Sequence, residues 1–217
     1  MKLKIKEIYP KLYHIEFPNQ YLETATFLRI QEFYESSFPE IRGHYFTLEQ
    51  YMDRYAKFKG NFTYTTDWSG FNVPGDIFYE FEKLFKLVHS EPLLEKEKEL
   101  LSKLETAVGH INWILGDFYI IATHIGNQSD LKHEVAHGLF YLNYAYRKEM
   151  LALIRKNKDK FKPLKQTLKN MGYASKVVKD EIQAYLSTGC EKAFKKLGNP
   201  YKKEFKQIFN KYYKEIK

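Results

Sequence analysis

The sequence predicts an α+β fold that is mostly helical, with a small sheet ahead of a long helix in its second half. Three observations lead there. Helical periodicity covers most of the chain, two short runs are dense in β-formers, and no apolar run is long enough to span a bilayer. The most apolar stretch, Ile111 to Ile125, is interrupted by Asp117 and contains Gly116 and His124. With 217 residues the chain suits one domain, 1–217, loosely divided near residue 110 into an N-terminal, mostly helical part (1–110) and a second part (111–217).

The elements follow in order. Tyr13-His-Ile-Glu-Phe17 alternates as a strand does, with Tyr13, Ile15 and Phe17 on one side. Leu22 to Glu35 is an amphipathic helix with Phe27, Leu28, Ile30, Phe33 and Tyr34 on its apolar stripe. Thr47-Leu-Glu-Gln50 matches a capping box and opens a helix reaching about Phe58. Asn61 to Gly75 is rich in turn residues and reads as a loop with a short extended piece. Helices are expected at 76–88 and 93–108, then a strand over Asp117–His124. Gly126 to Asp130 makes a turn that ends in good helix caps.

A long helix over 131–155 follows, with Asn143 as its candidate break point. The segment 161–170 is helical with Gly172 as its stop, and Ser175 is expected to cap the next helix, which ends near Gly189. Two last helices are expected at 191–197 and 200–216.

Composition narrows the function classes. A hydrophobic fraction of 44% argues against disorder. The single cysteine, Cys190, excludes an intramolecular disulfide and any multi-Cys zinc knuckle, and it reads as a small core or helix-boundary residue. Any metal site must therefore use His, Asp and Glu. Charges interrupt the opening Met1-Lys-Leu-Lys-Ile-Lys-Glu7 where a signal peptide needs an apolar run, so a cytoplasmic location is expected. The 18 Tyr and 17 Phe fit either an AT-rich coding composition or an aromatic-lined cleft.

The net charge of +8 is uneven. Residues 155–217 hold 18 Lys+Arg against 6 Asp+Glu, and the rest is slightly acidic. Seventeen of those 18 cations are lysines, without an Arg-rich or zinc-finger reader motif. That composition argues for solvated helix faces over a nucleic-acid surface.

Chemistry concentrates in His133-Glu-Val-Ala-His137. Residues i and i+4 share one face of a helix, so both imidazoles reach a single metal ion. Glu134 is rotated by about 100°, close enough to act on a metal-bound water without itself being a ligand. Composition alone would produce this spacing in roughly 2% of such chains. The ordinary reading, two exposed histidines around a salt-bridging glutamate, conflicts with the apolar neighbours Val135, Ala136, Leu139, Phe140 and Leu142.

The third ligand is read downstream, in Val177-Val-Lys-Asp-Glu-Ile-Gln-Ala-Tyr-Leu186. Val177, Val178, Ile182, Tyr185 and Leu186 mark the apolar stripe, and Glu181 falls within it; Asp180 lies with Lys176, Lys179 and Gln183 on a side expected to be wet. An inward carboxylate must be paired or metal-bound, so Glu181 is preferred, with a buried ion pair to lysine as its alternative. His124 is a weaker substitute ligand. His14, His44, His89 and His110 have no partner spacing. A diiron centre would need a second Glu-x-x-His, and only Glu134–His137 supplies one.

These residues resemble the gluzincin branch of zinc metallopeptidases, in particular anthrax-lethal-factor-like catalytic domains, over about residues 118–187. The resemblance implies a zincin-like fold, Zn²⁺ held by His133, His137 and Glu181, Glu134 as general base, and Tyr173 as the oxyanion donor. An acidic residue often stands four positions after the third ligand in such families, whereas here it is Tyr185. The implied activity is endopeptidase hydrolysis of a peptide or protein substrate, aligned by strand addition at Phe118–His124. Asp67-Trp-Ser-Gly-Phe-Asn-Val-Pro74 is the most site-like stretch of the first half, as a cleft wall or as a loop pinned by two buried aromatics. The alternatives are a non-catalytic metal-binding protein of the same fold, or a basic nucleic-acid-binding protein with a fortuitous motif. The oligomeric state is left open.

Overall fold

A computed structural model describes residues 3–87, 92–171, 173, 175–189 and 197–217. His89, Gly172, Cys190 and most of the helix expected at 191–197 lie outside the described residues. The α+β expectation holds: helices dominate, and one four-stranded mixed sheet accompanies them. No helix among the described residues is long and apolar enough to cross a membrane. The chain forms two compact units, 1–127 and 128–217. The division falls after the sheet is complete and not near residue 110.

In the first unit, β1 (Lys4–Tyr9) and β2 (Leu12–Phe17) form an antiparallel hairpin turned at Lys11, whose φ is 65°. Helix α1 (Gln20–Glu35) begins where Asn19 accepts the Leu22 N–H at 2.9 Å. The capping box at Thr47 forms as expected and opens α2 (Leu48–Lys59). A single helical turn, α3 (Tyr64–Asp67), precedes β3 (Phe71–Pro74), then α4 (Gly75–Leu87), α5 (Glu95–Val108), α6 (His110–Leu115) and β4 (Tyr119–His124).

The strand order is β1-β2-β4-β3, with β4 parallel to β2 and antiparallel to β3. Over Tyr119–Ala122 both borders of β4 are therefore occupied. That overturns the expectation that this strand offers a free edge for strand addition, because its backbone groups are already paired with neighbours.

Aromatics fill this unit's core. Phe27 stacks on Phe71 at 5.3 Å and meets Phe17 and Phe78 edge-on. Phe71 is thus a pinning residue, while Trp68 stays half-exposed. Two glycines permit the approach of α4 to the turn before β4. A Cβ on Gly75 would lie 2.7 Å from the Gly116 carbonyl oxygen, and one on Gly116, where φ is +63°, 2.5 Å from the Asp76 nitrogen.

The second unit is helical among its described residues. Helix α7 (Gln128–Leu142) is followed by α8 (Tyr144–Lys156), and the break comes at Asn143, whose side chain accepts the Tyr146 N–H at 2.9 Å. Next come α9 (Lys162–Asn170), α10 (Val178–Thr188), a 3-10 turn (Asn199–Tyr201) and α11 (Lys202–Tyr213). Ser175 does not cap α10; Val177 takes the cap position without a side-chain bond. Helix α10 packs against α7, α8, α9 and α11, so it is buried on nearly every side. Helix α11 buries Phe205, Phe209 and Tyr212, and keeps Lys203, Lys206 and Lys211 in solvent.

Candidate metal centre

The site is built from α7 and α10, which pack together. The 3.6-residue period puts His133 and His137 on one face of α7, and their ring centroids are 4.9 Å apart. Helix α10 brings Glu181 to the same face. The Nε2 atoms of the two histidines are 3.2 Å apart. Glu181 Oε1 is 3.7 Å from His137 Nε2, and Oε2 is 4.0 Å from His133 Nε2.

A tetrahedral zinc ion with bonds of about 2.0–2.2 Å holds its ligand atoms roughly 3.3–3.6 Å apart, close to the 3.2 Å between the imidazole nitrogens and somewhat inside the distances to the two carboxylate oxygens. Among the described residues, His133, His137 and Glu181 form a group that could hold a metal ion. Two nitrogens and one carboxylate suit zinc, and a three-ligand set leaves a position for a further ligand.

The electrostatics agree with the geometry. Burial, together with neighbouring His137, holds His133 well below the ordinary imidazole pKa. At His137 burial pulls in the same direction, but the carboxylates of Asp180, Glu181 and Glu134 outweigh it and hold the ring well above the ordinary value. A divalent cation binding there would displace any proton carried on Nε2.

Glu134 is buried with 5% exposure beside the two histidines in sequence. The Tyr173 hydroxyl lies 2.9 Å from that of Tyr185, and the Tyr185 ring lies 4.7 Å from the His133 ring. The tyrosine in ring contact with a histidine of the site is therefore Tyr185, which the sequence presented as part of an apolar stripe.

Asp180 was expected to face solvent. Instead its Oδ1 lies 3.0 Å from His137 Nδ1, as a close ion pair and not a well-aligned hydrogen bond. Thr188 Oγ1 lies 3.3 Å from His133 Nδ1. Neither was found from sequence, because a helix enclosed on all sides has no wet face for periodicity to reveal. The signal available was an acidic pair, Asp180-Glu181, at the start of an otherwise apolar helix.

The remaining described histidines have other neighbours. His124 Nδ1 is 2.7 Å from the buried Glu23 carboxylate, His14 meets Thr123, His110 meets Glu105, and His44 meets the Arg42 carbonyl. None of the four belongs to the metal-holding group. In the Asp67–Pro74 stretch, Asp67 accepts from Thr63 at 2.7 Å and from Tyr55, and the Gly70 N–H is held by Glu23. No protein-family model, curated protein or solved structure matches this chain.

Proposed function

We propose that the chain is a zinc-dependent endopeptidase of the gluzincin kind, with His133, His137 and Glu181 as the zinc ligands. The observation that carries this reading is the convergence of two Nε2 atoms and one carboxylate within a few ångströms, with buried Glu134 adjacent in sequence. A purely structural metal site needs four closed ligands and no spare acid.

Zinc bound there would supply the Lewis acidity that makes water nucleophilic near neutral pH. Glu134 takes the water's proton on its carboxylate and delivers it to the leaving amine nitrogen. Burial of Glu134 keeps bulk water from competing for that proton. The paired hydroxyls of Tyr173 and Tyr185 are the candidate donors for the developing oxyanion, with Tyr185 the member beside His133. Strand addition by substrate at β4 is not part of the reading, because that strand has neighbours on both borders.

The test begins with elemental mass spectrometry of wild type, His137→Ala and Glu181→Ala. About one zinc per wild-type chain is expected, lost in His137→Ala and reduced in Glu181→Ala. Peptide-library hydrolysis then compares wild type with Glu134→Gln, which should keep its zinc and lose at least about 100-fold in rate. A wild type that holds no zinc when zinc is supplied ends the reading. A zinc-loaded protein that cleaves nothing in a broad library leaves a metal-binding protein without peptidase activity.

A further inference from the structure

Both histidines present Nε2 to the same point, and the contacts behind the rings suggest why. Thr188 donates its hydroxyl proton to the Ala184 carbonyl at 2.8 Å. Its oxygen can then only accept from His133 Nδ1, which fixes that ring as the Nδ1–H tautomer with a lone pair on Nε2. Asp180 sets a carboxylate oxygen 3.0 Å from His137 Nδ1, where it attracts a proton to that nitrogen and leaves Nε2 turned to the site.

Asp180 is itself held. The Gln183 amide donates to Asp180 Oδ1 at 2.8 Å and to the Ala136 carbonyl at 3.1 Å, while its oxygen accepts from the Tyr146 hydroxyl at 2.6 Å. Gln183 is fully buried, and these bonds fix which way its amide faces. Since Ala136 directly precedes His137, one side chain ties the α10 carboxylate to the stretch of α7 that carries the ligand.

We propose that Asp180 and Thr188 are positioning residues that hold Nδ1 of His137 and of His133 and turn both Nε2 atoms to the metal, so that α10 supplies one ligand and aims the other two. Acceptors placed behind ligating rings raise ligand basicity and commonly change metal affinity by about 10- to 100-fold. The inference rests on the metal-site reading above, and its test separates the two.

Zinc affinity is measured on the full chain by competition with a chromogenic chelator, for wild type, Asp180→Ala, Asp180→Asn, Thr188→Val and Thr188→Ser. Metal-free melting temperature is recorded for each. Asp180→Ala is expected to bind about 10- to 100-fold more weakly, with Asp180→Asn in between because an amide oxygen still accepts. Thr188→Val should weaken binding and Thr188→Ser restore it.

Nitrogen-15 spectra of the metal-free chain report the tautomers directly. His133 should carry its proton on Nδ1 in wild type and lose that preference in Thr188→Val. A purely structural role would lower the melting temperature without moving this signal. Should Asp180→Ala fold poorly, the Thr188→Val and Thr188→Ser pair carries the test through His133. Wild-type zinc affinity in the Asp180 and Thr188 variants, with an unchanged His133 tautomer in Thr188→Val, overturns the inference while the metal site stands. Absence of zinc binding in wild type overturns both.

Discussion

Arg29 and Glu97 form a bidentate ion pair with essentially no exposure of either side chain. The guanidinium also reaches the Pro92 carbonyl and lies over the Phe85 ring, and Glu97 accepts the Leu94 N–H at 2.8 Å. Removing one partner strands a buried charge. Arg29→Met should therefore cost about 3–5 kcal/mol, and adding Glu97→Leu should recover much of it. Urea melts of the two single variants and the double variant measure that coupling. Glu32 shows a different effect of burial. Enclosure raises its carboxyl pKa above 4.5, only partly opposed by hydroxyls of Ser36, Tyr51 and Tyr64. Below the ordinary value both folded and unfolded chains hold the proton. As pH rises past it, the unfolded chain ionises first and stability falls until the folded pKa is passed, by about 1.4 kcal/mol for each pH unit of that window. Glu32→Gln should flatten this decline, gaining on wild type in thermal melts as pH rises above 4.5. Neither group was legible in the sequence, because a charge on a helix gives no sign of what will enclose it. That His133, His137 and Glu181 come together was legible, since two imidazoles four residues apart and a carboxylate within an apolar stripe are both periodicity statements.

Elements were read best where local chemistry decides them. The capping box at Thr47 and the cap at Asn143 involve side chains bonding backbone within three residues, so the sequence shows them directly. The first strand was missed because its residues, Lys4-Ile-Lys-Glu7, are mostly charged and exposed and depend on β2 for their conformation. Likewise the edge role assigned to β4 failed because pairing is decided by distant segments, here β2 and β3. The glycines at 75 and 116 belong to this scale, since they set how closely α4 meets the turn into β4. Gly116→Ala forces a left-handed φ on an L residue and drives its Cβ into backbone. A loss of about 2–4 kcal/mol is expected by chemical denaturation, against less than about 1 kcal/mol for Gly43→Ala, where φ is also positive but the space is open.

At the scale of the molecule, the three residues that could hold a metal ion all lie in residues 128–217, while the sheet lies in residues 1–127. Metal should therefore stabilise one unit selectively. At a free zinc concentration 100-fold above Kd the gain is about 2.7 kcal/mol. Hydrogen exchange followed by mass spectrometry should show slower exchange in peptides from α7 and α10 on zinc addition, with α1 and the β1–β2 hairpin unchanged. Equal slowing throughout would mean that the chain unfolds as one cooperative block. The sequence reading put a loose division near residue 110 and so grouped Asp117–His124 with the motif helix. Backbone pairing binds that strand to what precedes it, and periodicity carries no record of the pairing.

The placement of β4 inside the sheet leaves β1 and β3 as its outer strands, and each carries its own protection against self-association. Strand β1 is studded with Lys4, Lys6 and Glu7 and has an irregular register between Glu7 and Tyr9, so a second copy pairing there would meet like charges and a twisted ladder. Strand β3 is only four residues long and ends in Pro74, which has no N–H to offer. Neutralising the first guard with Lys4→Thr and Lys6→Thr should leave the fold intact and make the protein prone to concentration-dependent fibres, followed by light scattering. Two lysines at a sheet border thus oppose pairing with a second copy.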